Sequence, residues 1–174
     1  AEEINSTFAN LHFLEWATNQ LEDSELCASF SNYFEGVTSK KIVKGISEAD
    51  VIIFTIGVAP CFFSRVSKKF ILPKKNHTSL WSNDNDFRMT TVNENHENLL
   101  KITNIIQELN PSVNIVFTIS PVPLKAFIGS KSIVQADTIS KSVLRVAIHE
   151  VMDQSNGRVS YWPSYEIVRG LGMY

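Results

Sequence analysis

An α/β fold built on a parallel sheet is predicted by three observations. The run Asp50-Val-Ile-Ile-Phe-Thr-Ile-Gly57 is continuously apolar and rich in β-branched residues before it stops at Gly. That is the habit of a strand buried on both faces. Asn114-Ile-Val-Phe-Thr-Ile-Ser120 repeats the design and ends at Pro121-Val122-Pro123, which cannot continue a ladder. Around these runs the apolar period becomes helical, and alternating strands and helices are the rhythm of parallel sheets joined by right-handed crossovers. The two strands are expected to be central and adjacent.

The remaining elements follow in order. Phe8, Leu11, Leu14, Glu15 and Leu21 suggest a helix near the N-terminus, and Lys40 to Ala49 reads as a short helix leading into the first strand. From Pro60 to Thr90 the chain is polar and irregular, with Pro73, Asn76, Asn83, Asp84, Asn85 and Asp86. A connection of that length is often functional, and this one leaves the carboxyl end of a strand, where open α/β sheets bind ligands. A mobile insertion without a role is the alternative. Thr91 and Glu94 fit a capping box, after which Leu99, Ile102, Ile106 and Leu109 mark one helical face until Asn110-Pro111. From about Ser140, the residues Val143, Leu144, Ala147, Ile148 and Val151 make a second stripe. The pair Asn156-Gly157 then turns the chain into a third, shorter strand, Arg158 to Trp162.

Composition narrows the function classes. The chain has 174 residues, 44% of them hydrophobic, which suits one domain with a real core and not a disordered segment. No apolar run is long enough to span a bilayer. Sixteen basic against eighteen acidic residues leave a net charge of -2, so the basic surplus of a nucleic-acid binder is missing. Neither a nucleic acid nor a membrane is expected as a partner. Two cysteines, Cys27 and Cys61, cannot build a disulfide framework and are expected as reduced thiols. The chain opens on Ala1-Glu2-Glu3 without a signal-peptide pattern, which favours a cytoplasmic location and suggests an excised piece.

Familiar catalytic signatures are sparse. Neither G-x-G-x-x-G nor G-x-x-x-x-G-K-[ST] occurs, which removes the dinucleotide and P-loop phosphate cradles and leaves no cofactor expected. His12, His77, His96 and His149 are scattered, so no metal is expected. No G-x-S-x-G is present. Ser120 stands at a strand end, yet Pro121 removes an N–H that an oxyanion hole needs, and Ser120 reads as a wall or turn residue. Cys61 has no neighbouring base to activate it and reads as a buried thiol. Gly57, Ser120, Pro121, Pro123, Ser164 and Glu166 each lie at or just past the carboxyl end of a strand. In a parallel sheet those ends share one side, so the six are the candidate cleft-lining or substrate-binding residues. The bland alternative is that they merely terminate strands.

Several segments together resemble one family, the GSCFA domain. They are Ile119-Ser-Pro-Val-Pro-Leu124, Ser140-Lys-Ser-Val-Leu-Arg145 and Tyr161-Trp-Pro-Ser-Tyr-Glu-Ile167, with Ala49-Asp-Val51 leading to Thr55-Ile-Gly57 and with Leu14-Glu-Trp-Ala17 upstream. The family is similar to the SGNH, or GDSL-like, hydrolases, which implies a three-layer α/β/α sandwich around a mainly parallel, flavodoxin-like sheet. It also implies ester hydrolysis or acyl transfer by a Ser nucleophile with a His–Asp pair, with acylated saccharides a frequent substrate class. The naming motif G-S-C-F-A, G-D-S and a C-terminal D-x-x-H are all absent from residues 1–174, and Pro60 and Phe62 stand where a Glu and a Trp are usual. The resemblance therefore implies a single GSCFA domain that is either incomplete, with the catalytic Ser and the His–Asp pair outside this chain, or a degenerate member that has lost catalysis. Two alternatives stand beside the enzyme: a non-catalytic module binding a saccharide or another ligand in the same cleft, and a structural domain. Trp81, Trp162, Tyr161 and Tyr165 could stack on sugar rings, although such aromatics are more often partly buried rim.

Overall fold

The structure, a computed structural model, describes residues 39–66, 68, 70–71, 83–125, 127 and 132–171. The expected N-terminal helix, Cys27 and Trp81 lie outside them. Helix α1, Ser39–Glu48, leads into strand β1, Val51–Ile56. A small sheet follows, made of β2, Pro60–Ser64, β3, Phe70–Ile71, and β4, Asn85–Met89. Helix α2, Val92–Leu109, then leads to β5, Asn114–Ile119, and helix α3, Ile133–Gln154, to β6, Val159–Trp162. Helix α4, Ser164–Gly170, closes the described chain.

The main sheet is parallel and runs β1-β5-β6, with Val51 opposite Asn114 and Ile115 opposite Val159. The two predicted strands are therefore adjacent, in register and parallel. Strand β5 is the central one, and β1 ends the order of the described strands. Ile52 and Phe54 of β1 share a face with Ile115, Phe117 and Ile119 of β5, and all of these are buried. Leu99, Ile102 and Ile106 of α2, with Leu144, Ala147, Ile148 and Val151 of α3, complete that core.

The expectation that β1 is buried on both faces needs correction, because its burial alternates and Val51 and Ile53 are 48% and 51% exposed. The reason is topological. From β1 through β5 to β6 the chain crosses the sheet in one direction, and successive right-handed crossovers then lay both connecting helices on the same face. Helices α2 and α3 accordingly pack against each other over the Ile52–Phe117 side. On the opposite side, among the described residues, α4 packs against β5, near Thr118, which is buried.

Helix ends follow their local chemistry. The Thr91–Glu94 capping box forms as expected, with the Thr91 hydroxyl accepting from the Glu94 N–H. Arg88 of β4 donates to both Glu94 oxygens, at 2.9 and 2.5 Å, tying the small sheet to the start of α2. That guanidinium, helped by the Thr91 N–H, pulls the Glu94 carboxyl down to about 2 against the opposing effect of its partial burial. Asn110 stops α2, and its Nδ2 donates to Ile46 O at 2.9 Å and Ala49 O at 2.8 Å, anchoring the end of α1. Helix α3 starts seven residues before the predicted Ser140, at a Ser132–Gln135 box.

The Pro60–Thr90 segment is not irregular throughout. It carries the antiparallel order β3-β2-β4, with Phe62 opposite Phe87 and Phe63 opposite both Phe70 and Asp86. Phe62 packs on Phe87 at 4.9 Å between ring centres, Phe87 on Phe127 at 5.8 Å, and Arg88 lies over the Phe63 ring at 4.8 Å.

Candidate functional site at the carboxyl edge of the sheet

Helix α3 runs back against the strands, so its first turns lie at their carboxyl ends. Residues three and four apart share a helical face, and here Asp137, Ser140, Lys141 and Leu144 do so. Further along, that face is apolar and covers the sheet. At the edge it turns polar, and every polar group on it is engaged.

Lys141, 1% exposed, donates to the Gly57 and Ser120 carbonyl oxygens, both at 2.7 Å. Ser140 Oγ accepts from the Ala59 N–H at 2.8 Å. Asp137 accepts from the Leu124 N–H at 2.9 Å and from Arg169 of α4 at 2.6 Å. Arg169 Nε also donates to Pro121 O at 2.9 Å, and its guanidinium lies 5.4 Å from the centre of the Tyr165 ring. Its buried Nη2 has no hydrogen-bond partner among the described residues. One helix and one short helix thus hold the segments following β1 and β5 in place.

Electrostatics follow from that packing. Burial pushes the Lys141 ammonium below its ordinary value, and Asp137 only partly restores it. Burial alone pushes the Asp137 carboxyl up, but the Leu124 N–H and Arg169 outweigh it, so the group stays below the usual carboxylate range. Among the described residues, the titratable side chains that clamp the edge are thus two bases, Lys141 and Arg169, and one acid, Asp137.

The six predicted residues divide. Gly57, Ser120 and Pro121 come together through the Lys141 and Arg169 contacts, and the Ser120 N–H donates to Ile56 O at 2.9 Å. Ser164 joins them, its Oγ donating to Ile119 O at 2.8 Å and lying 2.7 Å from Thr118 Oγ1. Pro123 is exposed. Glu166 turns elsewhere, accepting from the Tyr161 hydroxyl at 2.7 Å and facing Arg145 at 3.3 Å. Burial first, and then that carboxylate, hold the Tyr161 hydroxyl well above its ordinary value.

Ser120 Oγ accepts from the Val122 N–H at 3.3 Å, a local turn contact. His149 sits on the exposed side of α3, 3.6 Å from Asp153, and His96 has a buried Nε2 without a hydrogen-bond partner among the described residues. Among the described residues no Ser–His hydrogen bond joins these groups. No cluster of three or more His, Cys, Asp or Glu residues suited to a metal ion occurs among them either. The Cys61 thiol is free, and burial pushes it up to about 11, so it is a poor nucleophile near neutral pH.

Asp137, Lys141 and Arg169 were not among the predicted site residues. A signal did exist, because Lys141 stands on the same stripe as Leu144 and Ile148, and a cation on an apolar helical face needs a partner. No curated protein and no solved structure matches the chain. The model of the GSCFA family matches residues 7–172, nearly the whole sequence and all of the edge just described. The chain belongs to the GSCFA family.

Proposed function

We propose that this chain forms the carboxyl-edge core of an SGNH-type ester hydrolase or acyltransferase acting on small acyl esters, acylated saccharides among them. The observation that carries the reading is the clamp from α3, in which Lys141 and Ser140 hold Gly57, Ala59 and Ser120 at the ends of adjacent parallel strands. In open parallel sheets the crevice beyond those ends is where ligands bind. Serines along this edge are already committed: Ser120 to Val122, Ser140 to Ala59 and Ser164 to Ile119. A Ser nucleophile is weak without an adjacent base. In this reading the nucleophile and its His–Asp pair come from residues outside this chain. The same commitments favour, as a second reading, a module that binds the ligand without turning it over.

The test is hydrolysis of 4-nitrophenyl acetate by this chain and by the whole native protein that carries it. Turnover by the native protein alone is the expected result, the short chain being slower by on the order of a million-fold, as when a serine hydrolase loses its nucleophile and base. Turnover by the short chain that vanishes in Ser120→Ala would make Ser120 the nucleophile and overturn the proposal. Silence from both would select the binding module.

A further inference from the structure

Lys141 is all but fully buried, and the reaction proposed above gives it no chemical step. Removing an ammonium from water is costly unless its hydrogen bonds are replaced, and here the replacements are two backbone carbonyls just past the ends of different strands. Their position matters. The β1–β5 ladder ends with the Ser120 N–H donating to Ile56 O, and one further step of parallel pairing would give Ser120 O to the Val58 N–H. Lys141 takes that acceptor instead and ends the ladder.

The Val58 N–H is consequently left without a hydrogen-bond partner among the described residues, and Val58 is 46% exposed. Its direction follows from peptide geometry. No peptide bond among the described residues is cis, and in a planar trans unit the C=O and N–H point opposite ways. The Gly57 carbonyl points at Lys141, so the Val58 N–H of the same unit points away from α3. Beside it, a Cβ built on Gly57 would meet nothing within 4 Å among the described residues. Of the neighbouring positions, Ala59 N–H is taken by Ser140, and Pro121 has no N–H.

We infer that Lys141 is a positioning residue which, by holding the Gly57 and Ser120 carbonyls, turns the Val58 N–H outward as a donor for a ligand's electron-rich oxygen, an acyl carbonyl or a carboxylate. This rests on the reading that the edge binds an acyl ligand, but its test needs no turnover. The chain, labelled with 15N, is titrated with sodium acetate while the Val58 amide is followed by NMR. The Val58 resonance moves on titration, and in Lys141→Met the apparent affinity falls about tenfold, the worth of one hydrogen bond. The remote Gly157 amide stays still in both proteins. A Val58 amide that ignores acetate, or responds equally in Lys141→Met, overturns the inference. Should the variant fail to fold, amide exchange in the wild-type chain decides: Val58 exchanges fast beside a protected Ala59, and equal protection of the two contradicts the assignment. An inactive native protein with a responsive Val58 would refute the hydrolase reading and leave this inference standing.

Discussion

Phe117→Ala is expected to destabilise the fold by about 3–5 kcal/mol, the range for emptying a fully buried phenyl site. Phe117 has no exposed surface and sits at the middle of the central strand, its ring 5.6 Å from that of Phe54 on β1. Helix α3 packs on β5, and residues of both long helices belong to the same core, so the walls cannot close over the void without moving an entire layer. For a chain of this size the loss corresponds to a fall in Tm on the order of 10 °C. Trp162→Ala is the control, because Trp162 is an exposed residue at the end of β6, and such surface changes cost within about 0.5 kcal/mol. Urea denaturation of the three proteins checks this. Equal, small effects for both substitutions would deny that β5 lies at the centre of the core.

Lys141→Met carries the second large effect, about 2 kcal/mol. Met matches the volume, so little cavity forms, and the loss comes from the two carbonyls. A buried acceptor deprived of its donor costs about 1–3 kcal/mol; these two are only partly buried, which puts each at the low end, and relief from burying an ammonium offsets part of the sum. Asp137 keeps Arg169 and the Leu124 N–H as partners, so it is not stranded by the change. A Tm lower by roughly 4–8 °C is expected by calorimetry. A variant as stable as the parent would mean that the clamp contributes nothing to the edge.

The parallel strands were legible because β-branched, unbroken runs such as Val51–Ile56 have few other places in a fold. What those runs cannot express is which face the helices take. Ile53 and Phe54 are equally apolar, and only the shared direction of two crossovers leaves Ile53 exposed and Phe54 buried. The small sheet was hidden for a different reason. Asn85 and Asp86 are poor strand formers, and β4 is set by pairing with β2, where Phe87 meets Phe62 from about 25 positions away. Helix α4 spans seven residues, too few for a helical period to declare itself.

At the site, Gly57, Ser120, Pro121 and Ser164 could be placed together because strand ends in a parallel sheet share a side. Glu166 could not be resolved in this way, since Tyr161 and Arg145 draw it to themselves. The clamp was harder still. Lys141 reaches Gly57 from 84 positions away in sequence, and nothing local to either residue encodes that meeting. Its trace was a cation on an apolar stripe, and that trace asks for a partner without naming one.

Under the proposed function the ligand binds beyond the carboxyl ends of β1 and β5. Chemical-shift mapping of the 15N-labelled chain titrated with an acetylated monosaccharide tests it most directly. Perturbations gathered at Val58, Ser120, Val122 and Tyr165 are the predicted result. Perturbations gathered instead at Asp50, Val113 and Arg158, at the amino ends of the same strands, would contradict it.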